Sequence, residues 1–259
     1  MESNVVFLMY HELERAGRPL CQSEPGYVRY ILSEADFRDH VKSLAARGWG
    51  SWSVGQALQG APGPGVVITF DDGCETDLLM AAPLLREQGM NATFYVTTGF
   101  LGKTGYLNVQ QLRELHGLGF EIGCHSMTHP YLSDLDAPGL QREIGDAKRQ
   151  LEEWLGTKIE HFSCPGGRYD ERVQAAVRDA GYASMATSRN HANGLSTDRF
   201  ELGRVAVLRG TGADGFEKLS TGRGLWRLNL EDGIRRTAKR ALGNSVYDRV
   251  RGALLGEGK

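Results

Sequence analysis

The chain has 259 residues, of which 41% are hydrophobic, 24% charged and 8% aromatic. This length allows a large core and suits a single α/β barrel, which typically takes about 200–250 residues. Thirty basic against 32 acidic residues leave a net charge of −2, so no overall positive field favours a nucleic-acid partner, and no apolar run approaches the ~20 residues that span a membrane.

The N-terminal segment, residues 1–12, has a short apolar run that ends at Glu12, with no basic residue before it. This pattern is not typical of a secretory signal peptide, so we expect a cytoplasmic protein. The chain has four cysteines and no CxxC pair, which argues against a disulfide framework and against a thiolate zinc site. We expect reduced thiols at Cys21, Cys74, Cys124 and Cys164.

Short apolar runs alternate with helical patterns along most of the chain. The runs of strand length are Val5–Tyr10, Gly65–Phe70, Ala92–Thr98, Phe120–Cys124, His161–Cys164, Tyr182–Thr187 and Arg204–Leu208. The helical patterns between them are Ser33–Gly48, Asp77–Gln88, Asn108–Leu118, Gly139–Leu155 and Glu171–Ala180. The alternation predicts parallel βαβ units, and about seven strands in this length favour a deformed (β/α) barrel over a doubly wound sheet.

The composition changes after residue 221, so we assign 1–221 to the barrel and 222–259 to a C-terminal helical appendage. Residues 222–251 contain eight basic and three acidic side chains, and an apolar stripe lies beside the basic ones, formed by Ile234, Ala238, Ala241 and Leu242. One interpretation is a solvated helix that packs on the barrel. The other is a basic helix on an anionic membrane surface, at the inner face of the membrane.

Candidate site residues follow four of the predicted strands. They are found in the segments Tyr10–His11, Asp71–Gly73, His125–His129 and Pro165–Gly167. Active sites of parallel α/β folds lie at the carboxyl ends of their strands. We therefore expect closure of the barrel to bring these four segments to one site.

Asp71 and Asp72 stand before Gly73, whose turn allows both side chains to reach one pocket. Two such carboxylates can divide their roles, one binding a cation and one acting as a base, although an isolated DDG also fits a plain turn. His125 and His129 are four residues apart, so one helical turn would direct both imidazoles to one ion. Two histidines and a carboxylate leave coordination positions open for water and substrate.

The segment Pro165–Gly167 also has two interpretations. It fits a strand-to-helix turn, with Asp170 as the cap of the next helix. It also fits a site where the backbone N–H near Gly166 approaches a developing oxyanion.

Three of these motifs, in this order, carry a family resemblance. TFDDG (Thr69–Gly73), HSMTH (His125–His129) and FSCPGGRYD (Phe162–Asp170) resemble the motifs of the NodB-homology polysaccharide deacetylases, carbohydrate esterase family 4. The resemblance extends over residues 5–208. It implies a deformed (β/α) barrel, one divalent metal ion and hydrolysis of an N-acetyl group on a sugar. The ion is usually Zn²⁺, with Co²⁺, Ni²⁺ or Mn²⁺ as alternatives.

The resemblance also implies roles for individual residues. By position, Asp72, His125 and His129 would bind the metal, and Asp71 would be the general base. The third motif would lie at the substrate and the oxyanion, through Pro165, Gly166, Gly167, Arg168 and Tyr169.

Two departures from the family pattern concern the acid and the base. Ser163 stands where family members often have an arginine that orients the catalytic aspartate, and we consider Arg204 or Arg168 as its replacement at the substrate side of the site. The usual late Leu-x-His motif is missing. Instead LMYHE (Leu8–Glu12) resembles the branch of exopolysaccharide deacetylases with a circularly permuted barrel, which implies that His11 is the general acid.

We also expect nearby carboxylates, Asp71 among them, to raise the pKa of His11 above its ordinary value of ~6.5.

The sequence thus predicts a metal-dependent sugar N-deacetylase, a hydrolase that acts on a glycan or on a lipid-linked or nucleotide-linked precursor, as in exopolysaccharide biosynthesis. Two alternatives remain: a C–N hydrolase of a small non-sugar amide or imide, and a catalytically silent glycan-binding protein, which Ser163 makes plausible. Release of acetate would separate the three.

Overall fold

The structure, a computed structural model, describes residues 4–61, 63–225 and 228–229. The strands in this part of the chain are β1 (Phe7–Tyr10), β2 (Leu13–Glu14), β3 (Leu32–Ser33), β4 (Gly50–Trp52), β5 (Gly65–Phe70), β6 (Thr93–Val96), β7 (Glu121–Cys124), β8 (His161–Ser163), β9 (Ser184–Ala186) and β10 (Val205–Ala206). The α-helices are α1 (Pro25–Val28), α2 (Glu34–Ala46), α3 (Val54–Gly60), α4 (Ala82–Glu87), α5 (Val109–Gly117), α6 (Ala137–Leu140), α7 (Ala147–Leu155), α8 (Glu171–Asp179) and α9 (Ala213–Ser220).

Seven strands form one curled parallel sheet in the order β10-β1-β5-β6-β7-β8-β9, and β4 adds to the start of β5. A single parallel bridge, Ala186 to Leu202, ties β9 to the segment before β10. The predicted deformed (β/α) barrel of about seven parallel strands is therefore confirmed. Since β1 pairs with β10, the start of the chain lies beside the last strand.

The core fills both faces of the sheet, which explains the continuous apolar runs. All residues of β5 after Gly65 are buried. The ring of Phe70 stacks between Tyr10 at 5.3 Å and Phe94 at 5.2 Å, so three neighbouring strands meet through aromatic contacts. This packing fixes the register of the strand ends that carry the polar motifs.

Several helix ends follow the predicted caps. The side chain of Ser33 accepts a hydrogen bond from Asp36 N at the start of α2, and Asp170 caps α8 through Val173 N. Two predicted helices are more complex than expected, because π-helical turns, Asp77–Ala81 and Gln141–Asp146, precede the regular helices α4 and α7. The strand β4 and the helices α3 and α9 were not predicted.

The appendage predicted for residues 222–259, with its apolar stripe and basic residues, lies outside the described residues except for its first few positions. Within the described chain, no helix combines the length and the apolar character needed to cross a bilayer. All four cysteines are free thiols, and three of them are buried.

Candidate active site

Four strand ends meet at one rim of the barrel, as expected, and enclose a cavity with a volume of about 550 Å³. Among the residues that line the cavity are His11 after β1, Asp71 and Asp72 after β5, His125 and His129 after β7, Gly166 after β8, and Arg204 at β10. The parallel direction of the sheet explains why the groups after β1, β5, β7 and β8 converge, because each of these strands ends on the same side. Arg204 differs, because it precedes β10 and reaches the cavity from the start of that strand.

Asp71 and Asp72 face the same cavity because the chain turns sharply between them. Asp72 has φ +81° and Gly73 also has φ +81°, so two successive residues lie in the left-handed region. This conformation costs a non-glycine residue about 1–2 kcal/mol. In the described chain the other non-glycine residues with positive φ are Ser126 and His129, so the strain concentrates at this rim.

His125 and His129 do not lie on a helical turn, and the prediction based on that spacing is wrong. They belong to an irregular loop in which Ser126 has φ +67° and His129 φ +64°. The Ser126 hydroxyl accepts a hydrogen bond from His129 N at 3.0 Å. The loop is thus closed by its own backbone and side chains, and both imidazoles still reach the cavity.

The buried carboxylate of Glu143 anchors this loop from behind. It accepts hydrogen bonds from Met127 N at 3.0 Å, from Thr128 N at 2.7 Å and from the Thr128 hydroxyl at 2.7 Å. Glu143 belongs to the π-helical turn before α7, and it is only 5% exposed. It replaces the helical hydrogen bonds that the loop lacks.

Asp72, His125 and His129 form a group with the donor set of a divalent metal site. Asp72 Oδ1 lies 3.7 Å from His125 Nε2 and 3.6 Å from His129 Nε2, and the three candidate ligand atoms lie within 4.8 Å of one another. His125 donates its Nδ1–H to the carbonyl of Ser163 at 2.9 Å, which leaves the Nε2 lone pair for an ion. Asp72 Oδ1 is buried and has no hydrogen-bond partner among the described residues. These features fit a cation bound by two imidazoles and a carboxylate.

The protonation states of this group have clear physical causes. Burial raises the pKa of Asp72 to about 6; His11 opposes the shift and Asp71 adds to it. Burial lowers the pKa of His125 to about 3 and also lowers that of His129, so both imidazoles are neutral at pH 7. Neutral imidazole is the form that binds a metal.

Asp71 is bound by one of the two arginines considered as replacements for the missing family arginine. Arg204 is 1% exposed and binds Asp71 through two hydrogen bonds, of 2.6 Å and 2.8 Å. Arg204 also donates to the hydroxyl of Ser163 at 2.7 Å. Burial alone would raise the pKa of Asp71, but Arg204, and after it His125, hold that pKa well below its usual value.

Arg204 therefore stands where the missing arginine would act, and Ser163 completes its hydrogen bonds. Arg168, the other candidate, lies over the ring of Tyr131 at 3.9 Å instead.

His11 is held by aromatic rings. Its ring lies 4.7 Å from that of Tyr30 and meets Tyr27 edge-on at 6.5 Å. His11 Nδ1 is buried without a hydrogen-bond partner in the described part of the chain. The expected rise of its pKa is wrong: burial lowers the pKa of His11 and outweighs the opposing effect of Asp72 and Asp71.

Only part of the third motif reaches the cavity. Gly166 lines it with φ +60°, and a Cβ at this position would lie 2.7 Å from the Tyr131 ring, so both the backbone angle and the space require glycine. Gly167 packs against Ser188, and the hydroxyl of Tyr169 donates to Glu201 at 3.3 Å. The cavity wall does not include Pro165, Gly167, Arg168 or Tyr169.

The sequence reasoning missed Glu143, Tyr27 and Tyr30. A sequence signal existed for Glu143, since it is an acid next to Ile144 on the apolar face of the predicted helix Gly139–Leu155. No signal marked the two tyrosines.

Comparison with known proteins agrees with this geometry. Residues 59–185 match the model of the polysaccharide deacetylase family. The chain carries a polysaccharide deacetylase domain. The deacetylase domain is 30% identical over 151 residues to the putative polysaccharide deacetylase YxkH of Bacillus subtilis, a match that covers 58% of this chain and 54% of the relative.

A second relative is a peptidoglycan-N-acetylglucosamine deacetylase of Bacillus cereus, 34% identical over 124 residues, 48% of this chain and 56% of that protein. The chain thus spans just over half the length of the curated relatives it matches. The fold of the deacetylase domain is similar to that of the Streptococcus pyogenes deacetylase PplD, solved in complex with acetate, with a TM-score of 0.75, 19% identity, and coverage of 85% of this chain and 99% of that one.

Proposed function

We propose that this chain hydrolyses the N-acetyl group of an amino sugar in a glycan or glycan precursor, releasing acetate and a free amine. The observation that carries the proposal is the contrast between two adjacent carboxylates at one cavity. Asp71 is paired with Arg204, whereas Asp72 faces two neutral imidazoles. One carboxylate is thus suited to take a proton and the other to bind a cation.

Asp72, His125 and His129 would hold one divalent ion, with Zn²⁺ as the first choice because two imidazoles and a carboxylate are common zinc ligands. When bound, such an ion supplies positive charge to an acyl oxygen and lowers the pKa of a water molecule to ~7. The hydrogen bond from His125 Nδ1 to Ser163 orients the ring before any ion arrives.

Asp71 would take the proton of the attacking water. Its low pKa keeps it ionised, and its bidentate contact with Arg204 fixes its direction. The backbone N–H of Gly166, at the cavity wall, would donate to the oxyanion that forms on the acetyl group. His11 would deliver a proton to the departing amine nitrogen, which must be protonated to leave.

The cavity wall suits a sugar. Tyr27, Tyr30 and Tyr131 present aromatic rings on which the apolar face of a sugar ring can stack, and Gln22 and Ser188 offer polar groups to its hydroxyls. The name of the Bacillus cereus relative, a peptidoglycan-N-acetylglucosamine deacetylase, agrees with an N-acetylhexosamine. We include lipid-linked precursors as substrates, with the basic residues beyond 222 as a contact to an anionic membrane.

The proposal is tested with oligomers of N-acetylglucosamine as substrate, measuring acetate and free amine together. We expect equal amounts of both products, loss of turnover after chelation, and recovery on addition of Zn²⁺. Asp71→Asn serves as the inactive control. Hydrolysis of a non-sugar amide without acetate release from any N-acetylated sugar would contradict the proposal, as would sugar binding without turnover.

A further inference from the structure

Two cysteines touch each other behind the wall of the cavity. The Sγ atoms of Cys21 and Cys74 are 3.5 Å apart, although the residues are 53 positions apart in sequence. Cys74 is fully buried, whereas Cys21 is a half-buried residue. A disulfide requires about 2.05 Å between the sulfurs, so the two sulfur atoms must move closer together before a bond forms.

The two cysteines lie next to residues that line the cavity of the candidate active site. The hydroxyl of Tyr27 lies 3.4 Å from Cys74 Sγ, and Tyr27 itself lines the cavity. Cys21 Sγ donates to the carbonyl of Gly105 at 3.0 Å. Cys74 follows Asp72 by two residues, so the contact joins the segment that carries the tyrosines to the strand end that carries the carboxylates.

The surroundings favour a covalent bond between the sulfurs over a metal ion. Glu12 is the third group near them, but its carboxylate accepts hydrogen bonds from Arg18 at 2.6 Å and from Cys21 N at 3.0 Å and 3.1 Å. The guanidinium of Arg18 also lies 3.7 Å from Cys21 Sγ. A fixed positive charge at this distance opposes a second cation.

We propose that Cys21 and Cys74 form a reversible disulfide, a modification site independent of the deacetylase reaction. In the presence of a small-molecule disulfide, the sulfur of Cys21 attacks one sulfur of that oxidant and releases one small thiol. The sulfur of Cys74 then displaces the second small thiol and closes the protein disulfide. The two cysteines lose two electrons and two protons, and the oxidant gains them as two thiols.

Such a bond would fasten the segment between Cys21 and Tyr30 to the end of β5. It would close a loop of 53 residues and restrict the unfolded chain, so we expect the cross-linked protein to unfold at a higher temperature.

The experiment treats the full chain with oxidised glutathione, alkylates the remaining thiols with iodoacetamide under denaturing conditions, and maps the peptides by mass spectrometry. We expect one linked peptide pair, Cys21 with Cys74, lighter than the two reduced peptides by two hydrogen atoms, and full alkylation of Cys124 and Cys164. Four alkylated cysteines, or glutathione retained on Cys21 beside a free Cys74, would overturn the proposal. A bound metal would protect both thiols from alkylation before oxidation, and a chelator would remove that protection. This result would also overturn the proposal.

Matched variants separate the bond from a general effect of oxidant. Cys21→Ser and Cys74→Ser should form no cross-link and show no change in the midpoint of thermal unfolding with oxidant. Cys124→Ser, at a buried cysteine elsewhere in the sheet, should behave as the parent protein, whose midpoint rises on oxidation and returns with dithiothreitol. An unchanged or lower midpoint in the cross-linked parent would contradict a bond that fits the native geometry.

Discussion

Asp71 and Asp72 are neighbours in sequence and both lie 3.7 Å from His125 Nε2, yet their pKa values shift in opposite directions. Arg204 pairs with one of them, and burial without a hydrogen bond on Oδ1 raises the pKa of the other to about 6. The difference comes from a single left-handed turn at Asp72, which directs its side chain to the two histidines. A conformation of one residue thus assigns the two acids to different tasks.

Arg204→Lys tests the positioning of Asp71. Lysine keeps the charge but loses the bidentate contact, so we expect kcat to fall about 10–100-fold, in line with about 1.5–3 kcal/mol for a hydrogen bond to a charged group. The pKa of Asp71 should rise, and the acid limb of the kcat/KM–pH profile should move to higher pH. Arg189→Lys is the control, because Arg189 pairs with Glu201 at an exposed site. An unchanged profile in the Arg204 variant would contradict this role.

His11→Ala tests the proposed acid. A general acid typically contributes about 10²–10⁴-fold, so turnover should fall by that factor while metal content stays at the parent value. The basic limb of the kcat/KM–pH profile should flatten at the same time. His116→Ala, remote from the cavity, provides the comparison. Near-parental turnover on a substrate with a poor amine leaving group would show that another residue donates the proton.

An irregular loop, and not the expected helical turn, places the two imidazoles at the cavity. The loop Ser126–His129 carries two residues with positive φ, and it depends on the carboxylate of Glu143 for three hydrogen bonds. Glu143 itself belongs to a π-helical turn, a rare element that often occurs at functional sites. Two irregular elements therefore support each other.

Glu143→Ala should loosen this loop and weaken the metal affinity by about 10–100-fold, because groups that orient ligands contribute on that scale. The free energy of unfolding should also fall, by about 1–3 kcal/mol, since the N–H groups of Met127 and Thr128 lose the buried carboxylate that accepts their hydrogen bonds. Titration of Zn²⁺ against a competing chelator measures the affinity. Glu153→Ala, on an exposed part of α7, should leave the affinity unchanged; equal affinity in both variants would contradict the role of Glu143.

The sequence predicts the elements whose information is local. The apolar run Gly65–Phe70 and the cap Ser33 both appear as expected, because burial and capping act within a few residues. The prediction of a helical turn between His125 and His129 was wrong. Spacing alone does not distinguish a helical turn from a loop with left-handed residues that a distant acid, Glu143, holds in place. The contact between Arg204 and Asp71 joins positions 133 residues apart, and it required the closed topology.

Closure of the barrel places the first strand, β1, beside the last described strand, β10. Leu8 pairs with Val205 and Met9 with Ala206. His11 and Arg204 therefore line one cavity, although they come from the first and the last strand regions of the described sequence. This closure explains how an N-terminal histidine can serve a site whose other groups follow β5 and β7.

The buried histidines also give the fold a pH dependence. Burial lowers the pKa of His11, His40, His125, His129 and His161. Below pH ~6.5 the unfolded chain binds protons that the folded chain refuses, so stability is present above that pH and is lost as the pH falls. Asp72, whose pKa is raised to about 6, and Asp77, whose pKa burial also raises, act in the opposite direction, but they are two groups against five.

We therefore expect the metal-free protein to be less stable at pH 5 than at pH 7.5 in urea unfolding. His125 alone should contribute about 2 kcal/mol of the loss, because its folded pKa is about 3. His125→Asn should lose correspondingly less stability between the two pH values. An equal loss in parent and variant would contradict this assignment.

The division of roles between the two carboxylates is tested most directly by the metal content of two variants, Asp71→Asn and Asp72→Asn. The metal content is measured by elemental mass spectrometry after loading with Zn²⁺, and acetate release is measured on the same samples. We expect Asp71→Asn to keep one ion per chain and to lose turnover, whereas Asp72→Asn should lose both. Full metal content in Asp72→Asn, or loss of the ion in Asp71→Asn, would contradict the division of roles between the two carboxylates.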